Sequence, residues 1–565
     1  MTHTQPNNYS IYLIVATLLA AICNSFQAYS LPVQHYANES VRSSGKWVKI
    51  STSHKGVHCI DAATLQAWGF TDATSVSLYG KDGYMLPETF DNNDNDDLCP
   101  LPVYVENGNL YFYASGSTQW QQNGNANSWT HTNNYYSDIT FYFLTDSREQ
   151  VAMQQADTQW SDGIAMTTFD EYAVYENDLI CLGQTGRLYL GEDLLYNNTI
   201  RLNAPGIAGD KITIQIAAGA NATTTCTLTT RRGNTTLTPN MTVKASDSYT
   251  YIKEATQTYT IPAGEQIELS FTAKSSGTIK NFYLDYVRMF YTRHLAMDNS
   301  PLHFRNVQPN GNYYAINTKQ SVSNNIRVWD ITDVNAPLIH STQEVNGKVV
   351  FTPLSQGDVC NEYVAFDISK DLSTPQFVCN VEHQNLHGID YIPDMVILTS
   401  QAFINEAEKV AQIHRQNDHM KVLVCDQLSV FNEFSGGTPD ATAIRRMMKM
   451  FYDRAQALYV NAPQYLLLYG RSSYNNRAIS AKLHNDDNKL LITYQSESST
   501  DQRYSYMTDD YYGLLGDNTG KDITSEEINL SIGRIPVKNI QESQKVYNKL
   551  ITFINQKPTR NLWKN

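Results

Sequence analysis

The feature that most constrains this chain is a series of short, wholly apolar runs in its last third, each followed by a stretch of helical period. Met395 to Leu398 (MVIL), Val422 to Val424 (VLV) and Tyr465 to Tyr469 (YLLLY) lack the polar alternation of half-exposed strands and are too short for helices. Strands buried on both faces fit them. Between the first two, Phe403, Ala407, Val410, Ala411 and His414 share one helical face. After the second comes VFNEFSGGTPD, which reads as a long loop whose Asp440 can cap the next helix. That helix repeats Ile444, Met447, Met448, Phe451 and Ala455 at helical spacing. INLSIGRIP from Ile528 reads as another strand, and Val546, Leu550 and Ile554 line one side of a closing helix. Strand alternating with helix in this way is the layout of a doubly wound α/β domain.

Upstream of about residue 386 the period changes to two. WVKIST at Trp47, VSLYG at Val76, LYFYASG at Leu110 and ITFYFLT at Ile139 are separated by turn-rich stretches. ITIQI at Ile212, IELSFT at Ile267 and FYLDYVRMFYTR at Phe282 place apolar side chains on every second residue, as in a sandwich. Segments at Ile326 to Ile331, Val349 to Pro353 and Tyr363 to Ile368 add further strands. The expected fold is therefore multidomain: N-terminal all-β, sandwich-like domains followed by a partial doubly wound α/β domain. The boundaries expected are an N-terminal β domain over 31–165, a β-sandwich region over 166–385 and the α/β domain over 386–565.

Residues 1–30 read as an export signal, because Ile11 to Ile22 form an apolar run of signal-peptide length. The net charge is -14, from 56 acidic and 42 basic residues, and no run of Lys or Arg builds a phosphate-matching surface, so nucleic acid is excluded as a partner. Beyond Cys23 lie Cys59, Cys99, Cys181, Cys226, Cys360, Cys379 and Cys425, with no spacing of zinc-ligand type. No metal and no cofactor is implied. Pairs such as Cys59 with Cys99 or Cys360 with Cys379 are allowed in an oxidising compartment. The acidic loop DNNDNDD (Asp91 to Asp97) lacks the Gly and Glu of a calcium-binding EF-hand loop and reads as a solvated turn.

Open parallel sheets bind ligands at the carboxyl ends of their strands, here the loops after Leu398, Val424, Tyr469 and Arg534. Just ahead of the last strand, MTDDYYGLLGD sets Asp509 and Asp510 among aromatics. Adjacent carboxylates beside tyrosine faces can bind a basic substrate group, whereas an ordinary Asp-Asp pair caps a turn. Cys425, the cysteine of this region, reads as a small buried apolar residue rather than a nucleophile. His387 and His414 read as structural, and His484 has no evident partner. No nucleophile elbow, Walker or dinucleotide-binding loop follows any of the strands.

Several motifs resemble the gingipain-type cysteine peptidases and, within them, the type IX secretion sortases. They are NLHGID (Asn385 to Asp390), VFNEFSGGTPDATAIRRMMKMFYDR (Val430 to Arg454), YLLLYG (Tyr465 to Gly470), TYQSESS (Thr493 to Ser499), MTDDYYGLLGD (Met507 to Asp517) and IGRIPVK (Ile532 to Lys538). The likeness extends forward through SGKWVKISTSHKGVHCID (Ser44 to Asp61) and TFDEYAVYENDLICLGQTGRLYLGE from Thr168. The resemblance implies a caspase- or gingipain-like fold for the α/β domain. It also implies a surface enzyme that removes C-terminal sorting domains from secreted cargo through a Cys thioester, with outer-membrane secretion components as partners.

The same resemblance implies a His general base and a Cys nucleophile, neither of which matches a residue up to Asn565, so the dyad is expected downstream of it. Asp509 corresponds to the acidic residue that lines the substrate pocket in arginine-specific members of the family. Arg471 stands where the family has an Asp. The alternative expectation is a non-catalytic surface scaffold that docks cargo.

Overall fold

The computed structural model describes residues 35–90, 96–124, 126–297, 301–319, 321–355, 357, 359–482 and 488–555. The apolar run 11–22, Cys23, residues 91–95 of the acidic loop, His484 and residues 561–565 lie outside the described residues. No helix among those described is long and apolar enough to cross a membrane.

The α/β region contains a four-stranded sheet, parallel throughout. Its strands are β1 (Met395–Thr399), β2 (Val422–Asp426), β3 (Tyr465–Tyr469) and β4 (Ser531–Ile535), in spatial order β2-β1-β3-β4. Alternate residues of β1 serve opposite cores. Val396 and Leu398 pack with α2 (Gln427–Phe434) and α3 (Ala441–Leu458), while Met395 and Ile397 pack with α1 (Ile404–Asn417) and α4 (Ile540–Asn555). This two-sided burial is why the strands read as unbroken apolar runs.

Two local readings change. The stretch taken as a loop after β2 is helical over Gln427–Phe434, because Asp426 caps it by accepting from Leu428 N and Ser429 N at 2.9 and 3.2 Å, and Val430, Phe431 and Phe434 fill the core. His414, placed on the core side by its spacing, is half-buried and pairs with Asp418 at 2.7 Å, and Ile413 takes the buried position.

The β-rich part forms three nested units. Strands from Trp47–Thr52 to Thr140–Thr145 build the first, but its main sheet is closed by Gln376–Val381, which pairs antiparallel with Trp47–Thr52. The second unit joins Gln154–Gln155 and Ala165–Met166 to strands between Leu302–Arg305 and Glu362–Asp367. The third, a sandwich of strands from Thr168–Glu176 to Ile279–His294, is inserted within the second. The sheets thus cross the linear division expected at 165, since a strand distant in sequence completes each outer unit.

Cys59, Cys181, Cys226, Cys360, Cys379 and Cys425 carry free thiols, so the pairings of Cys59 with Cys99 and of Cys360 with Cys379 are not formed.

The first β unit lies against α3. Helix α3 is buried on all sides from Ala441 to Phe451, and its charged face is internal. Arg445 donates to Leu514 O at 2.7 Å and to Thr519 Oγ1 at 2.8 Å, while Lys449 Nζ lies 2.6 Å from both Asp453 and Asp517. Asp440 caps the helix through Thr442 N at 2.7 Å and also accepts Leu86 N at 2.9 Å, and burial pushes its carboxyl up to about 6. Met85, Leu86 and Phe90 of the first unit pack into the core around α3.

His387 closes the same interface. Its ring is fully buried and stacks on Phe434 at 4.4 Å, with Nδ1 2.6 Å from Glu433 and Nε2 3.1 Å from Asp96 of the first unit. Glu433 also accepts Leu386 N at 2.9 Å and His387 N at 3.1 Å. Burial alone would lower the imidazole, but the Asp96 and Glu433 carboxylates outweigh it and hold its pKa up at about 9. NLHGID is therefore the staple between the β units and the α/β domain. Lys49, on Trp47–Thr52, crosses the interface as well, donating to Asn432 Oδ1 at 2.8 Å and Gly437 O at 2.9 Å. Its partners there are neutral, so burial lowers its pKa to about 7.

Candidate functional site

The carboxyl edge of the parallel sheet is formed by the ends of β3 and β4 and by the segment 490–513 that bridges them. Gly470 directly follows β3 with φ at +147, a backbone setting that side-chain-bearing residues rarely adopt. This turn aims the Gly470 carbonyl at β4, where Arg534 Nη1 donates to it at 2.9 Å. The other two guanidinium nitrogens reach Asp509: Nε lies 2.7 Å from Oδ2 and Nη2 2.6 Å from Oδ1. Bidentate, charge-assisted pairing of this kind fixes orientation as well as distance. Thr493 Oγ1 adds a longer contact to Asp509 Oδ1 at 3.4 Å.

The loop carrying Asp509 is held from two directions. On the sheet side, Tyr511 and Tyr512 are buried, with Tyr512 OH donating to Ile492 O at 3.0 Å and Tyr511 OH 2.8 Å from Thr442 Oγ1 at the start of α3. On the other side, the hairpin between Tyr494–Gln495 and Met507–Thr508 is bound to loops of the inserted sandwich. Arg187 N donates to Ser496 O at 3.0 Å, Gln495 Nε2 to Gly186 O at 3.1 Å, and Tyr251 N to Thr500 O at 2.8 Å. The β units therefore position the site although they supply none of its charged groups.

The two predicted carboxylates part company. Asp509 is three-quarters buried and engaged by Arg534, so it is not the free acceptor for a basic group that its sequence suggests. Asp510 is exposed at the first residue of a short 3-10 turn, its backbone N donating to Thr508 Oγ1 at 3.1 Å. Arg471 is exposed at the same edge, one residue after Gly470. Cys425 is buried one residue before the end of β2, and burial pushes its thiol well above the ordinary range, so it is no thiolate nucleophile. His387 and His414 stand in ion pairs away from this edge. Sequence reading passed over Arg534; its place in IGRIPVK, at the carboxyl edge of the last strand, was the available signal.

Residues 389–565 match the profile of Peptidase family C25. The C25 domain and the β units together are similar to the crystal structure of dimeric latent PorU from Porphyromonas gingivalis, with a TM-score of 0.80 and 29% identity over 91% of this chain and 50% of that one. The present chain thus spans about half the length of PorU. Eiger TNF from S. frugiperda, 4% identical over 22% of this chain and 93% of its own, and a Bacillus thuringiensis Cry1Da tryptic core variant, 9% identical over 44% and 51%, both have TM-scores of 0.13 and are no guide to the fold. No curated protein matches the sequence. The likeness to PorU embraces β units and C25 domain in one arrangement, in keeping with the buried staple at His387.

Proposed function

We propose that this chain serves a cysteine peptidase or transpeptidase of the type IX secretion sortase kind, exported and working at the outer membrane or cell surface. Its substrates are secreted proteins with C-terminal sorting domains, and its partners are outer-membrane secretion components. The reaction is acyl transfer: a thiolate attacks the carbonyl ahead of the sorting domain, that domain leaves as the amine, and an acceptor nucleophile then cleaves the thioester. Asp509 and Asp510 line the edge that receives the substrate chain. Asp509 does so as a charge-compensated wall, and Asp510 as the carboxylate open to solvent. The nucleophile and base are not assigned to any described residue, since Cys425 is sealed in the core.

The observation that carries this reading is the PorU likeness over 91% of the chain, which includes the β units as well as the C25 domain. Deleting the gene tests it. Secreted cargo is expected to retain its sorting domain, read as an added mass equal to that domain in intact-mass spectra. Cargo of normal mass in the deletion strain would contradict the proposal.

A further inference from the structure

Within the reading that the carboxyl edge receives a substrate side chain, the state of Asp509 decides which side chains it takes. A carboxylate at such an edge selects Lys or Arg when its oxygens are free. Here both oxygens of Asp509 are filled by Arg534, through Nε at 2.7 Å and Nη2 at 2.6 Å, and the third nitrogen is anchored on Gly470 O at 2.9 Å. The geometry is that of a guanidinium bound in a pocket, with the guanidinium supplied by the chain itself. An incoming Arg side chain gains the same two hydrogen bonds but also bears the entropy cost of association, which Arg534 avoids. Displacement would strand Arg534 beside it, 15% exposed and short of an anion. Exposed Arg471, next to Gly470, adds a second positive charge at this edge.

We propose that Arg534 is a specificity-determining residue: it occupies Asp509 from within, so that the edge accepts an uncharged side chain and refuses Lys and Arg. Asp509 is then a latent basic-side-chain site that one substitution uncovers.

The test uses the purified chain and p-aminobenzamidine, an aromatic amidinium that stands in for a substrate guanidinium and whose fluorescence reports binding. Arg534→Gln and Arg534→Met are both made, with circular dichroism and thermal unfolding to establish that each is folded. The parent chain is expected to show no saturable binding, and at least one folded Arg534 variant at least tenfold tighter binding than the parent. Asp509→Asn in that variant should abolish the gain, while Asp162→Asn, at an exposed carboxylate outside this edge, should leave it. The inference is overturned if the parent chain binds the amidinium in a way that Asp509→Asn removes, or if the folded Arg534 variants bind no better than the parent. Because the assay needs no turnover, its failure is distinct from a failure of cargo trimming to depend on the gene.

Discussion

Glu433 and Asp509 are both carboxylates gripped by a cation of the same chain, yet Glu433 and His387 have no exposed side-chain surface, while Asp509 and Arg534 keep 24% and 15% of theirs. The difference separates building from serving. Around Glu433, water cannot replace a lost partner, so the imidazolium, two backbone amides and Asp96 depend on one another and join the first β unit to the C25 domain. Around Asp509, solvent is in reach of both partners, so opening the pair costs less than breaking the sealed one at Glu433. A buried ion pair broken at one end costs several kcal/mol, whereas a solvent-accessible one contributes about 1 kcal/mol or less.

The largest expected effect is therefore at Glu433. Glu433→Ala leaves His387, Leu386 N and His387 N without their acceptor, and urea unfolding should show a loss of about 3–5 kcal/mol. A loss under about 1 kcal/mol would place the staple on the same footing as the site pair.

Next comes pH. The His387 pKa is raised to about 9 in the folded chain, so its stabilisation is fully present below the unfolded value near 6.5 and is lost as pH rises through 9. The folded state of Lys49 instead holds its proton less tightly, with a pKa of about 7, so its contribution to stability rises with pH from about 7 to the unfolded value near 10. His387→Gln should remove a falling component of about 3 kcal/mol from the stability profile, and Lys49→Met should remove a larger rising one, about 5 kcal/mol. Profiles unchanged by both substitutions would mean that neither group is held as described.

Smaller still is the cost at the site. Asp509→Ala should lower stability by less than about 1 kcal/mol in the same urea experiment. On the sheet face covered by α1 and α4, Arg415→Ala removes a pair with Glu408 in which the side chains are 30% and 43% exposed, together with a hydrogen bond to Val422 O at 2.6 Å, and should cost about 0.5–1 kcal/mol.

The contrast also marks what could be read from residues alone. The runs at Met395, Val422 and Tyr465 declared buried parallel strands because a strand covered on both faces has no polar alternation to lose. The α3 stripe at Ile444, Met447 and Met448 declared one buried face. Nothing local declared the other, since Arg445, Lys449 and Asp453 look like a solvated face until the first β unit and the 514–519 loop are laid over them. The helix that Asp426 caps was missed, because the Gly, Pro and Asn of the segment after Val430 read as a loop. Nesting of the β units was hidden for a related reason: the partner of Trp47–Thr52 lies more than 300 residues away, at Gln376–Val381. At the carboxyl edge, Asp509 was singled out by its position and its partner Arg534 was not, because an ion pair between a loop and a strand leaves no spacing rule in the sequence.

The central claim is that Glu433 holds the fold and Asp509 serves the site. Its most direct test is to measure protein abundance and cargo trimming together in strains carrying Asp509→Ala, with the exposed Asp162→Ala as control. The account predicts that Asp509→Ala accumulates to the parent level while cargo keeps its sorting domain, and that Asp162→Ala leaves both unchanged. Cargo trimmed at the parent rate by a normally abundant Asp509→Ala protein would contradict it.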